Sequence, residues 1–158
     1  MRYLVAFGLL AGCGVAPAPA DPLPPPSVED ARVLLADVID AGIDRDWERL
    51  CASASGTCEG ELAAHAKERA PSQAPQVADI EVHHPIQDGD SWSSGGVLFV
   101  LCGLDGLGEP YESEVLVFND GTKLLATAAV YWVGTSVGLA PPGGGPISES
   151  IPGEPRCP

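Results

Sequence analysis

The sequence has few basic residues and no long hydrophobic run, and each absence argues against a class of protein. Only 8 of its 158 residues are Lys or Arg, against 22 Asp or Glu, so the formal net charge is −14. Binding to nucleic acid and attachment to anionic lipid through a basic patch both need clustered positive charge, so the composition favours neither. No apolar run approaches the ~20 residues of a membrane-spanning helix. A chain of this length predicts one folded domain.

The N-terminus has a pattern that resembles the lipobox, the processing signal of bacterial lipoproteins. Arg2 precedes the short apolar run YLVAFGLL, and Leu-Ala-Gly-Cys occupies positions 10–13. The resemblance implies that residues 1–12 are a signal peptide and that Cys13 carries a diacylglycerol, with palmitate or a similar acyl group on the new N-terminus. It places the mature protein on the extracytoplasmic face of a cell membrane. A plain secretory signal with a chance cysteine is the alternative.

A proline-rich segment over 13–26 follows this cysteine. Six prolines lie between positions 14 and 27, with a single charged side chain at Asp21. Proline-rich chains hold extended conformations of about 3.1 Å per residue, so the segment can span about 40 Å. It predicts a tether between the membrane and a domain over 27–135, although a binding motif for a partner is an alternative. A Gly/Pro-rich tail over 136–158 completes the predicted organisation.

Helical periodicity predicts three helices in the first part of the domain. Ser27 has the character of an N-cap, and Gly42 is expected to end the first helix. A second helix is predicted over 44–52 and a third over 58–70. The first helix has an apolar stripe with the spacing of one buried face, formed by Ala31, Leu34, Leu35, Val38 and Ile39.

The rest of the domain predicts a four-stranded antiparallel sheet. The strands are expected over 77–84, 97–104, 111–118 and 123–133. The second of these is continuously apolar, as expected of a central strand that is covered on both faces. Asn119-Asp120-Gly121-Thr122 is a strong hairpin signal between the last two strands. Helices followed by strands predict an α+β fold in which the helices pack on one face of the sheet.

This order of elements resembles the nuclear transport factor 2-like group, a cystatin-like cone in which a curved sheet wraps around N-terminal helices. The segment AGIDRDWERLC at 41–51 is similar to the family's break between its first two helices, where a Trp and a Leu enter the cone. The resemblance covers residues 27–135 and includes no catalytic signature. The early strand of the enzyme members is not predicted here. The chain is more similar to the small domains of bacterial lipoproteins.

Five cysteines support an oxidising compartment. If Cys13 carries the lipid, four remain, and an even number indicates two disulfides. We favour Cys51–Cys58, which would join the second and third helices, and Cys102–Cys157, which would tie a central strand to the tail. Cys51–Cys102, with Cys58 bonded to the tail, is the alternative. The cysteines and the three histidines lack the spacing of metal ligands, so neither a metal nor another cofactor is predicted.

The sequence contains no catalytic motif, and its candidate contact residues are few. His83 and His84 follow an acidic strand, where an imidazole beside a carboxylate can act as a general base but where solvated histidines are also common. Tyr131 and Trp132 belong to the predicted last strand, so one ring is expected in the core and the other in a groove. Trp92 lies in a Ser/Gly-rich loop and is a possible contact residue.

These observations favour a lipid-anchored, non-catalytic domain of the cell envelope that binds a small ligand or an envelope protein. The alternatives are a cone-fold enzyme, such as a small isomerase or dehydratase, and an inhibitor or immunity-type protein. The interior of the cone distinguishes the non-catalytic binding domain from the cone-fold enzyme. His, Asp and Tyr side chains converging around a void would favour an enzyme, whereas a filled apolar interior would favour binding by the outer surface.

Overall fold

The computed structural model describes residues 23–56, 58–88, 91–93, 95–137 and 157, of which 64, 65, 86–88 and 91–93 are described by their backbone. The predicted signal peptide, Cys13 and most of the predicted tether and tail lie outside the described residues. The fold is α+β, as predicted. No described helix is long and apolar enough to cross a membrane.

Ten helices and strands and one short 3-10 helix, η1, make up the described chain. The helices come first and the antiparallel strands follow, which is the predicted order. The elements are α1 (Val28–Asp44), α2 (Trp47–Ala52), α3 (Cys58–Glu61), α4 (Ala64–Glu68), β1 (Gln76–His83), β2 (Ile86–Asp88), β3 (Ser91–Ser93), β4 (Gly96–Leu104), β5 (Pro110–Asn119), β6 (Leu124–Ala126) and η1 (Tyr131–Val133).

Helix α1 begins at the predicted cap and buries the predicted stripe. Ser27 Oγ accepts a hydrogen bond of 3.1 Å from the Asp30 N–H, as an N-cap hydroxyl does. The helix continues two residues past Gly42, to Asp44. Arg45 ends it, because this residue adopts the left-handed conformation with a φ of 58°. The expected end at Gly42 is therefore wrong. Four stripe residues are buried and the fifth packs against the core: Ala31, Leu35, Val38, Ile39 and, half-buried, Leu34.

The other predicted helices are shorter than expected. The second begins at Trp47, where Asp46 caps it by accepting a hydrogen bond from the Arg49 N–H. The predicted third helix is instead two short helices, α3 and α4. Gly60 lies within α3 and costs about 1 kcal/mol of helix propensity relative to alanine, which weakens a continuous helix there. Leu62, between the two, is still buried in the core.

The main sheet has the strand order β1-β4-β5-β6, with every neighbouring pair antiparallel. Strand β4 lies between β1 and β5, and its residues from Gly96 to Cys102 are all buried, as predicted for the central strand. Strand β1 lies at the edge, and Val77 and Val82 are exposed there. Strands β2 and β3 form a separate two-stranded hairpin that the sequence analysis did not predict.

The predicted last strand ends early, at Ala126. Ala128 has a φ of 52°, which an extended strand cannot contain, and the chain then forms η1. Tyr131 and Trp132 therefore both lie fully buried in the core. The prediction that one ring lies in the core and the other in a groove is wrong. The error arose because no glycine or proline marks the turn within KLLATAAVYWV.

The 3-10 helix joins the helices to the sheet. The indole N–H of Trp132 donates a hydrogen bond of 2.7 Å to the Ala66 carbonyl, and the Tyr131 hydroxyl donates one of 3.4 Å to the Ile39 carbonyl. The Ser113 hydroxyl on β5 donates to the Tyr131 carbonyl. The two rings meet edge to face with centroids 5.1 Å apart, an arrangement that aromatic pairs favour. The core is thus closed by side chains whose polar ends are bonded.

Both disulfides favoured by the sequence are present. Cys51 and Cys58 join α2 to α3, and Cys102 and Cys157 join the face of β4 away from the helices to the tail. Their sequence separations are 7 and 55 residues. On a chain-entropy treatment, closing loops of these lengths stabilises the fold by about 2.5 and about 4 kcal/mol respectively.

The loop lengths predict an order of stability among cysteine variants. The double variant Cys102→Ala/Cys157→Ala should lose up to about 4 kcal/mol of unfolding free energy, and Cys51→Ala/Cys58→Ala up to about 2.5 kcal/mol. Urea unfolding monitored by tryptophan fluorescence measures both. Thiol labelling of the unfolded, unreduced wild type should find none of these four cysteines free. Labelling of any two would contradict the assignment.

Candidate functional site

The structure does not bring the predicted polar candidates together. His83, at the end of β1, is half-buried, and its Nε2 lies 3.4 Å from Glu81 Oε2 on the same strand. His84, the next residue, is exposed. Tyr131 and Trp132, in contrast, are fully buried against the helices. The two pairs therefore do not form one catalytic constellation.

The remaining predicted contact residue, Trp92, lies on β3. Its backbone pairs with that of Gln87 in the small hairpin. Its side chain lies outside what the structure describes, so its role as a contact residue stays a prediction. Among the described residues, no three His, Cys, Asp or Glu side chains are grouped as metal ligands.

Large side chains fill the inner face of the sheet. Phe99 and Val115 of the sheet, Leu50 of α2 and the two η1 aromatics are all fully buried. Trp132 also contacts Trp47, at a ring-centroid distance of 6.2 Å. Burial raises the pKa of the Tyr131 hydroxyl, which therefore stays protonated. The cavities found along the described chain lie at the margins of this core.

One such cavity lies where the β4–β5 hairpin meets the loop before β1. We call it the hairpin cavity; its volume is about 520 Å³. The loop contributes the polar residues Ser72 and Gln73, and the first residue of β1 contributes Gln76. The hairpin contributes residues 103–106 and Tyr111, and the Cys102–Cys157 disulfide also lies in the wall. Most of the lining residues that the structure describes are uncharged.

Asp105 organises the hairpin beside this cavity. Its buried Oδ1 accepts hydrogen bonds of 2.8 Å from the Leu107 N–H and 2.9 Å from the Glu109 N–H. Its Oδ2 accepts one from Arg69 Nε, and the Arg69 carbonyl accepts a hydrogen bond from the Gly106 N–H. Desolvation raises the pKa of the Asp105 carboxyl, but these hydrogen bonds outweigh it and lower the pKa below its ordinary value. The carboxylate is charged at neutral pH and bonded through both oxygens.

Tyr111 is the unusual member of the cavity wall. Its side chain is 7% exposed, and its buried hydroxyl has no hydrogen-bond partner in the described structure. The hydroxyl lies over Gly103, where an added Cβ would come within 2.6 Å of it. Burial, and secondly the charge of Asp105, raise the pKa of this hydroxyl, which therefore remains a hydrogen-bond donor.

A second cavity, of about 610 Å³, lies beside α2 and the Cys51–Cys58 disulfide. Its wall includes Trp47, Glu48, Glu59 and Lys67. The Lys67 ammonium lies 5.9 Å from the centroid of the Trp47 ring, within cation–π range. The Lys67 ammonium therefore already has an aromatic partner in Trp47.

No family model, curated protein or solved structure matches this chain. Asp105 and Tyr111 are not predicted as site residues, because the segment DGLGE at 105–109 has the composition of a hairpin turn and contains no catalytic or ligand-binding motif. The available signal was the aspartate at the first position of that turn, a residue that commonly bonds the next backbone N–H groups. The position of Tyr111 opposite Gly103 depends on cross-strand register, which has no local sequence signal.

The Asp105 geometry predicts an acid-sensitive hairpin. Because the folded-state pKa is depressed, the charged carboxylate stabilises the fold above the unfolded-state pKa, and this contribution is lost as pH falls through the folded-state pKa. Asp105→Asn should lower Tm at neutral pH and flatten its fall between about pH 5 and pH 2. Asp79→Asn is the control, because it removes the same charge from an exposed position on β1. Calorimetric Tm profiles with equal slopes in wild type and Asp105→Asn would contradict the assignment.

Proposed function

We propose that this protein is a lipid-anchored domain of the bacterial cell envelope that binds a ligand or partner protein and catalyses no reaction. The filled interior carries the proposal. Apart from its tyrosines, the described chain buries two polar or charged residues, Asp105 and Ser113, and both side chains are hydrogen-bonded to backbone groups. Neither is available as an acid or base inside the core. A binding role at the margins fits this arrangement better than an enzyme of the cone type.

We also propose that the fold is nuclear transport factor 2-like. In support, α1 and α2 precede an antiparallel sheet and pack on one of its faces. Trp47 and Leu50, from the segment that resembles the family's helix break, pack in or against the core. The likeness is weaker at the third helix, which is divided into α3 and α4.

Membrane attachment is proposed through Cys13. The lipobox-like residues 10–13 and the proline-rich segment after them support an anchor followed by a spacer. The two disulfides support an oxidising compartment. The extracytoplasmic side of a bacterial membrane is such a compartment. Two or three acyl chains anchor a protein stably, since each buried CH₂ contributes about 0.8 kcal/mol.

Replacement of the proposed lipidated cysteine tests the anchor. Cys13→Ala should move the protein from the membrane to the soluble fraction, or leave it unprocessed, and should abolish labelling by an alkyne fatty acid. The double variant Cys102→Ala/Cys157→Ala is the matched control, because it removes cysteines but keeps residues 10–13. It should remain labelled and in the membrane fraction. A Cys13→Ala protein of unchanged mobility that stays in the membrane would overturn the anchor.

A further inference from the structure

We propose that the hairpin cavity binds an uncharged, extended peptide segment, with a main-chain carbonyl of the peptide accepting a hydrogen bond from the Tyr111 hydroxyl. The inference deepens the proposed binding role and rests on it, because it names a site and a ligand class for that role. Three features of the cavity support it: an unpartnered donor, a neutral wall and an open strand edge.

The donor is the buried hydroxyl of Tyr111. Most buried polar groups in proteins have a hydrogen-bond partner, and leaving one without a partner costs folding free energy. Tyr111 is 7% exposed, and its hydroxyl has no hydrogen-bond partner in the described structure. The residue is part of the cavity wall. The missing side chain at Gly103 leaves room for the hydroxyl. A carbonyl oxygen entering the cavity would supply the missing acceptor.

The wall determines the charge of the ligand. Among the described lining residues, Asp105 is the one charged side chain. Its carboxylate is fully buried and already bonded to Arg69 and to two backbone N–H groups, so it is not exposed to a cation in the cavity. No described lining residue presents a cation to an anion, whereas Ser72, Gln73 and Gln76 carry neutral hydrogen-bonding groups. An uncharged polar ligand therefore matches the wall best.

The open edge indicates that the ligand is a peptide. The pairing of β1 with β4 ends at Gln76 and Cys102, but β4 continues through Gly103 and Leu104, where it pairs with β5 alone. In the described structure no strand pairs with this side of Gly103 and Leu104, and the chain over 72–76 and Cys157 border it across the cavity. An extended peptide can pair with such an edge, as in β-strand addition. Leu104 and Leu107, 59% and 68% exposed, provide apolar contacts next to it.

The size of the cavity agrees with this ligand class. Its volume of about 520 Å³ falls within the range of about 300–1,000 Å³ typical of small-ligand sites. This space accommodates a short extended segment rather than a folded domain. The blocked dipeptide N-acetyl-Ala-Ala-N-methylamide is a suitable probe, because it is uncharged and has main-chain carbonyls in an extended backbone.

The test is a titration of the purified, disulfide-bonded protein with this probe, followed by amide NMR. The signals of Gly103, Leu104 and Tyr111 should shift, and Tyr111→Phe should weaken binding by about 3- to 10-fold, the effect of one hydrogen bond. Tyr131→Phe is the matched control, because it removes a buried hydroxyl that already donates to Ile39 and lies outside the cavity wall. It should leave the affinity unchanged.

Stability distinguishes this role from a structural one. Without the probe, Tyr111→Phe should keep or raise Tm, because it removes an unsatisfied buried group, whereas Tyr131→Phe should lower Tm. The proposal is overturned if the cavity signals do not shift at millimolar probe, or if Tyr111→Phe binds as tightly as the wild type. Equal affinity for the single amide N-methylacetamide would overturn the assignment of a peptide.

Failure of this inference and failure of the proposed function are separable. If the probe does not bind while Cys13→Ala still releases the protein from the membrane, the cavity assignment is wrong and the membrane anchor of the proposed function stands. If the probe binds but Cys13→Ala remains membrane-bound and unchanged in mobility, the anchor is wrong and the cavity assignment stands.

Discussion

The packing of Tyr131 and Trp132 between the helices and the sheet is the constraint on which the rest of the structure depends. Each ring fills the core while its polar end bonds a helical carbonyl, that of Ile39 or Ala66. Helix α1 approaches so closely that a Cβ at Gly42 would lie 2.9 Å from the Trp132 ring. A larger residue there would have to push the helix away from the sheet. Because these rings fill the interior, the two cavities described above lie at its margins.

The scarcity of basic residues makes each structural cation important. Arg49 bonds Asp37 through two nitrogens and lies 3.8 Å from Asp44, which holds α2 to α1. Its hydrogen bond with Asp37 is the main reason that its pKa is raised. Arg69 makes the corresponding connection between α4 and the hairpin through Asp105. A net charge of −14 opposes compactness through self-repulsion, and the two disulfides limit the expansion that this repulsion favours.

Local signals predicted much of the fold, and features set by distant contacts escaped prediction. The Ser27 cap, the apolar stripe of α1 and the central position of β4 all follow from spacing and residue type. The cysteine count leaves the pairing open, with Cys51–Cys102 as the alternative, and the favoured pairing is the one present. The end of β6 does not, because Ala128 adopts a left-handed conformation that alanine rarely takes, and tertiary packing of the next residues imposes it. The candidate site also escaped, since Tyr111 meets Gly103 only through the register of two strands.

The two buried tyrosines show how the same residue type takes different roles in one core. Burial raises the pKa of both hydroxyls, so both are donors, but Tyr131 reaches a helical carbonyl and Tyr111 does not. The chain around Tyr111 is held by the Asp105 hydrogen bonds and, on the opposite face of β4, by the Cys102–Cys157 disulfide. A hairpin fastened in this way cannot easily relax to satisfy the hydroxyl. Binding at the proposed site would therefore cost little conformational entropy, because the hairpin is already ordered in the free protein. Preorganised sites have this property in common.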